Sequence, residues 1–241
     1  MLRRNFHAIA IVADSLAALQ IPSSQPMIIY ANHPSWWDPL LAQFLCRQLF
    51  PQRRFFAPID AKALEQYRVF ARLGFYGVQL DSASGSAAFL RTSRAIMAAE
   101  NSSIWLTPEG RFSDPRDLDQ PLAPGLAHLC SKADQGIIVP LALEYPFWDE
   151  RLPECLLCFG PPLNIAAHRG EDKPAWSARL AHRLRETQRR LAEHVIARDC
   201  SPFQLLLRGH GGAGGGYDWM RRMRALLTRR PLPPQHGKHF Q

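Results

Sequence analysis

The strongest constraint on this chain is a rhythm in which short apolar runs alternate with segments of helical spacing. Three of the runs also stop at a polar cluster. Met27–Ala31 (Met-Ile-Ile-Tyr-Ala) ends at Asn32-His33-Pro34, and Ser103–Thr107 breaks at Pro108-Glu109-Gly110. Ile137–Leu143 runs into Glu144-Tyr145-Pro146. Runs this short and this apolar fit buried strands better than helices. Arg54–Ala57 and Gly77–Leu80 give two further strands. Between them, helical spacing predicts helices over 61–73, 86–99 and 126–133. Asp38-Pro39 followed by Leu40, Leu41, Phe44 and Leu45 reads as an N-cap, a first-turn proline and an apolar helix face. The alternation predicts an α/β fold with a mixed, largely parallel sheet covered by helices.

The flanks read differently. Phe6–Leu19 has apolar residues at helical spacing and Pro22-Ser23-Ser24 stops it, so residues 1–24 are expected to be an N-terminal helix. Residues 25–200 form the expected main domain, with a motif core over 27–145 and a long closing helix from about Ala175 to Arg198 with arginines on its outer face. In the remaining stretch, 201–241, Gly209–Gly216 reads as a hinge. Beyond it Trp219, Met220, Met223, Leu226 and Leu227 recur at helical spacing among Arg221, Arg222, Arg224, Arg229 and Arg230. That pattern is a basic amphipathic helix, suited to an anionic bilayer or to packing on the domain. Pro231 onward reads as a flexible tail.

A formal net charge of +8 asks for an anionic partner. No nucleic-acid-binding motif is present and the basic residues cluster outside the expected cleft, so an anionic membrane surface is expected and nucleic acid is not. Asp14 interrupts the N-terminal apolar run, which argues against a cleaved leader. No stretch reaches the roughly 18 apolar residues that a membrane span needs. The expectation is a cytoplasmic protein lying on the inner face of the membrane. The five cysteines show no framework spacing, and Cys155-Leu-Leu-Cys158 sits in an apolar run. Buried strand residues in a reducing compartment account for them, and no metal is expected.

His33-Pro-Ser-Trp-Trp-Asp38 is the segment that promises chemistry. Its histidine follows a strand, and the aspartate returns one short loop later. A carboxylate on one imidazole nitrogen fixes the tautomer and raises the basicity of the other. With no protein nucleophile nearby, such a histidine can deprotonate a substrate hydroxyl. A turn histidine beside an N-cap aspartate is the bland alternative. The second polar loop, Thr107-Pro-Glu-Gly-Arg-Phe-Ser113, shifts the balance, because loops at the carboxyl ends of strands form the ligand crevice of an open α/β sheet. Arg111 in that loop can clamp a phosphate or carboxylate. Trp36 and Trp37 can line an acyl path, mark a membrane-facing rim or pack in the core.

Asn32-His33-x-Ser35-x-x-Asp38 after an apolar strand, followed by Pro108-Glu109-Gly110, resembles the glycerol-phosphate and lysophosphatidate acyltransferases from about Met27 to Tyr145. The resemblance implies that His33 is the general base and Asp38 orients it. It implies that Pro108, Glu109 and Gly110 help bind the acceptor, beside which the loop's own Arg111 is a further acceptor-binding candidate, and that Asn32, Ser35 and Pro140 (of Ile138-Val139-Pro140) belong to the motifs. It further implies transfer of a fatty acyl group from acyl-CoA or acyl carrier protein, as co-substrate and with no other cofactor, to a lysophospholipid or related lyso-lipid. The family's arginine at the third strand is missing from Gly77-Val-Gln-Leu-Asp81-Ser82. Arg111 comes one position early, and Leu122-Ala-Pro-Gly125 lacks the usual lysine. An acceptor with another headgroup, such as a lyso-aminolipid or a glycosylated lipid, therefore stays open. The rival readings are a non-catalytic peripheral lipid-binding protein and an acyl-thioester hydrolase.

Overall fold

A computed structural model describes residues 1–79, 82–210 and 240. The chain opens with one helical turn, α1 (Leu2–Asn5), and passes into β1 (Ala8–Val12) and a 3-10 segment, Ala13–Leu19. Then follow β2 (Met27–Ala31), α2 (Asp38–Leu49), β3 (Arg54–Asp60), the short helices α3 (Ala61–Gln66) and α4 (Val69–Arg72), and β4 (Phe75–Val78). The next elements are α5 (Ala83–Met97), β5 (Ser102–Leu106), α6 (Pro124–Lys132) and β6 (Ile137–Glu144). The chain continues through β7 (Glu154–Phe159), β8 (Leu163–Asn164), α7 (Lys173–Ala197) and β9 (Phe203–Arg208).

Nine strands among the described residues build one sheet, in the order β4-β3-β5-β2-β6-β7-β1-β9 with β8 also on β6. The run β4-β3-β5-β2-β6 is parallel throughout, as is β1 on β7. β7 and β8 run antiparallel to β6, and β9 to β1. This is the mixed, largely parallel α/β sheet that the alternation predicts.

Both faces are covered, which is why β2 is apolar at every position. Met27, Ile29 and Ala31 pack with Leu41 and Leu45 of α2, while Ile28 and Tyr30 pack with Leu126 and Leu129 of α6 and Trp176, Leu180 and Leu184 of α7. Farther along the sheet, Ala8, Ala10, Leu156 and Cys158 meet Leu191 and Val195 of α7.

The expected N-terminal helix over Phe6–Leu19 is replaced by a strand. Ala8-Ile-Ala-Ile-Val12 is wholly buried and lies between β7 and β9, so it has sheet neighbours on both edges and helices or loops on both faces. A helix would present only one apolar stripe, whereas this position needs apolar side chains all round. The sheet therefore takes in strands on both sides of 25–200. The expected helix over 61–73 is two short helices, and the strand expected at Gly77–Leu80 starts at Phe75; Leu80 and Asp81 lie outside the described residues. Gly209, the first residue of the expected hinge, donates its backbone N–H to the His7 carbonyl at 2.8 Å, continuing the β9 pairing. The rest of that glycine run from Gly211, the basic amphipathic segment and the tail up to His239 also lie outside the described residues.

Pro140 sits inside β6, where a proline cannot donate to a neighbouring strand. The sheet accommodates it at the junction between β7 and β8, where Gly160 donates to the Pro140 carbonyl at 2.9 Å. A Cβ at Gly160 would stand 2.2 Å from Thr187 Oγ1 on α7, so only glycine lets the strand and the helix approach this closely.

Candidate active site

β5, β2 and β6 are adjacent and parallel, so their carboxyl ends open side by side. Asn32 ends β2 by acting as a false strand residue. Its fully buried side-chain amide donates to the Leu143 carbonyl at 3.0 Å and accepts from the Leu143 N–H at 2.8 Å. Tied to β6 in this way, the chain turns out of the sheet at His33.

His33 Nδ1 lies 2.6 Å from Asp38 Oδ2. The histidine side chain keeps 17% of its surface exposed and the aspartate only 3%, so the imidazole is reachable and its carboxylate partner is not. With Nδ1–H donating to Asp38, Nε2 is left as the acceptor nitrogen, and it has no hydrogen-bond partner among the described residues. Asp38 is the first residue of α2 rather than its N-cap, a position held by Trp37 with no side-chain cap. Its carboxylate turns away from the helix. Oδ2 also accepts from the Ser35 N–H at 3.1 Å, and Oδ1 accepts from the Tyr145 hydroxyl at 2.5 Å. Burial pushes the Asp38 pKa above the ordinary aspartate value, while the hydrogen bonds from His33 and Tyr145, and then Ser35, pull it back. Ser35 Oγ accepts from the Trp37 N–H at 3.2 Å, which closes the turn between the two dyad residues.

The second loop grips the first. Glu109 Oε2 accepts from the His33 backbone N–H at 3.0 Å and from the Ser113 hydroxyl at 2.5 Å. Ser113 in turn donates its N–H to the His33 carbonyl at 3.1 Å. Glu109 Oε1 takes Arg185 Nη1 of α7 at 2.7 Å, in a pair whose side chains are both buried. Arg185 also reaches Gln188 and the Gln120 carbonyl. Both carboxylate oxygens of Glu109 are thus engaged in holding the loops together. Pro108 is buried and its carbonyl accepts from the Ala123 N–H. Gly110 turns the chain at φ +68° with open space around it, so conformation rather than crowding calls for glycine there. Arg111 is exposed and donates to Gln120 Oε1 through Nε and Nη2. Phe112 lies against the imidazole, its ring centroid 4.4 Å from that of His33.

Trp36 is exposed beside the dyad, whereas Trp37 packs on Phe6 edge to face at 5.3 Å. Phe147, two residues past Tyr145, is exposed as well. A groove of about 710 Å³ runs along α7 against residues 118–122, with His182, Arg185 and Arg189 among its lining residues. Glu144, at the end of β6, is buried opposite Asp114 and Arg116. Burial lifts its pKa to about 7, Arg116 lowers it and Asp114 raises it. Cys155 and Cys158 are free thiols buried in β7. No helix among the described residues is long and apolar enough to cross a membrane.

The structure brings Asn32, His33, Ser35, Asp38, Glu109 and Gly110 together, and it places Pro140 in the sheet below them. Two neighbours carry weight that the sequence does not advertise. In the sequence Tyr145 only follows an apolar strand, although a residue just past a strand parallel to β2 stands near His33. Arg185 reads as part of a solvated arginine face. Its signal is the position directly after Leu184, with Thr187 and Gln188 completing a buried row on α7. Residues 17–144 match the family model described as Acyltransferase. No curated protein matches the sequence.

Proposed function

The chain belongs to the acyltransferase family, and from that premise we propose that it is an O-acyltransferase in which His33 activates the hydroxyl of a lyso-lipid towards an acyl thioester. The observation that carries this reading is the His33–Asp38 pair at 2.6 Å, with Nε2 left open beside a loop it shares with Glu109. His33 Nε2 takes the acceptor's hydroxyl proton as that oxygen attacks the thioester carbonyl. The tetrahedral centre then collapses, the carbon–sulfur bond breaks and the thiol of coenzyme A or acyl carrier protein leaves. The imidazolium returns its proton to the departing thiolate, so the enzyme ends as it began. Asp38 holds the proton on Nδ1 throughout and stabilises the imidazolium.

Glu109 supports this chemistry indirectly, since its carboxylate is spent on His33, Ser113 and Arg185. With Pro108 buried, Gly110 and Arg111 are the parts of that loop left to meet the acceptor. Arg111 can exchange Gln120 for a phosphate or carboxylate on the headgroup. The exposed rings of Trp36, Phe112 and Phe147 around the dyad suit the headgroup region of a bilayer, where a lyso-lipid is found. We place the protein peripherally on the cytoplasmic face of the membrane, drawn there by its net positive charge.

The test is incubation of the pure protein with labelled acyl-CoA or acyl carrier protein and a mixture of lyso-lipids, with products resolved by mass spectrometry. An ester product that falls by about 10²–10⁴-fold in His33→Ala supports the reading and names the acceptor. Release of free fatty acid without ester identifies a hydrolase. Lipid binding that persists without turnover under any acceptor identifies a binding protein.

A further inference from the structure

Asp38 has more to hold it than a two-residue dyad requires. Its Oδ2 serves both His33 Nδ1 and the Ser35 N–H, and the other oxygen is taken by the Tyr145 hydroxyl at 2.5 Å. We propose that Tyr145 is a positioning residue and the third member of the site, fixing the Asp38 carboxylate so that Oδ2 alone is presented to His33. The inference rests on the reading of His33 as the base, and it concerns a residue one position beyond the stretch matched by the family model.

A carboxylate held only through Oδ2 can swing about its Cβ–Cγ bond and offer either oxygen. A donor on Oδ1 removes that freedom. Tyr145 is itself well anchored: it follows β6 directly, and its ring lies 5.7 Å from that of Phe6, which is wedged in turn against Trp37. Burial, and then the neighbouring Cys155 and Asp38, push the phenol's pKa well above its ordinary value. The hydroxyl therefore keeps its proton and donates a hydrogen bond to Asp38 Oδ1. Its hydrogen bond also spreads the charge of Asp38, which moderates how strongly the carboxylate holds the proton on Nδ1.

The experiment is Tyr145→Phe in the full chain, which keeps the ring and removes only the donor. Histidine-labelled protein is followed by NMR across pH, with the His33 signals assigned by their loss in His33→Gln. The acyl-transfer rate is measured over the same range. Without the phenol donor, Asp38 becomes more basic and binds the Nδ1 proton harder. The titration midpoint of His33 should move up by roughly half a unit to one unit, with the Nδ1 proton shifted downfield. The acid limb of the rate profile should move up with it, and kcat should fall about tenfold with little change in acceptor KM. An unchanged His33 titration and Nδ1 shift would overturn the proposal whatever happens to the melting temperature, because a purely structural role moves only the latter. The NMR reading needs no substrate, so it decides the role of Tyr145 even if no acyl transfer is found. Should Tyr145→Phe fail to fold, 3-fluorotyrosine placed at 145 alone is a stronger donor. It must move the midpoint downward, and no movement overturns the proposal equally.

Discussion

At the scale of single residues, the site depends on which atoms are left unoccupied. Asp38 accepts from three donors, one of which is the imidazole it fixes. Asp38→Asn keeps the shape but can donate to Nδ1, which would move the histidine proton to Nε2 and abolish the base. The expected loss in kcat is about 10³–10⁴-fold, with acceptor KM nearly unchanged. Glu144 offers a pH test of a different kind. Its pKa rises on folding from the ordinary 4.5 to about 7, mainly through burial. The folded state therefore binds the proton more tightly than the unfolded state. The stabilisation is present in full below about 4.5 and is lost as pH rises through about 7. Melting temperatures at pH 5 and pH 8 should differ in the wild type, and Glu144→Gln should narrow that gap. His33, Asp38 and Glu109 are legible in the sequence because their spacing after apolar strands is unusual. Tyr145 and Arg185 are not, because a lone tyrosine and one arginine among many acquire meaning only from the fold.

At the scale of elements, α7 contributes more than cover for the sheet. Through Arg185 it holds Glu109, and through Glu109 it holds the His33 backbone. Removing one partner of such a buried pair strands the other charge, so Arg185→Ala should destabilise the protein by about 3–5 kcal/mol in urea unfolding. Adding Glu109→Gln should recover part of that loss, since the stranded carboxylate is gone. Where α7 crosses the Pro140–Gly160 junction, it approaches the sheet too closely for any side chain at 160. Gly160→Ala should cost roughly 1–3 kcal/mol by the same measurement. Elements in the middle of the chain are legible from their apolar runs. The N-terminal strand is not, because Phe6, Ile9, Leu16 and Leu19 also fit a helical face and only pairing with β7 and β9 decides between the two. β9 is equally hidden, because Phe203–Arg208 lies just before the expected hinge and only its pairing with β1 makes it a strand.

At the scale of the whole molecule, the site opens at the carboxyl ends of adjacent strands of one sheet, and exposed rings sit at that end. If Trp36 and Phe147 meet the bilayer, Trp36→Ala with Phe147→Ala should weaken co-sedimentation with anionic vesicles by about tenfold, and added salt should weaken the residual binding further. The sheet's wiring also has a consequence for synthesis. The strands that carry the dyad and the Glu109 loop come from one contiguous stretch, Met27 to Glu144. β1, made first, must wait for β7 and β9, which begin only at Glu154 and Phe203. A chain leaving the ribosome can thus lay down the dyad's own strands while Ala8–Val12 still has no sheet partner, and the Arg185 lock arrives in the same late stretch. Chains stalled between those points would display Ala8–Val12 as an unpaired apolar segment, open to whatever shields nascent strands.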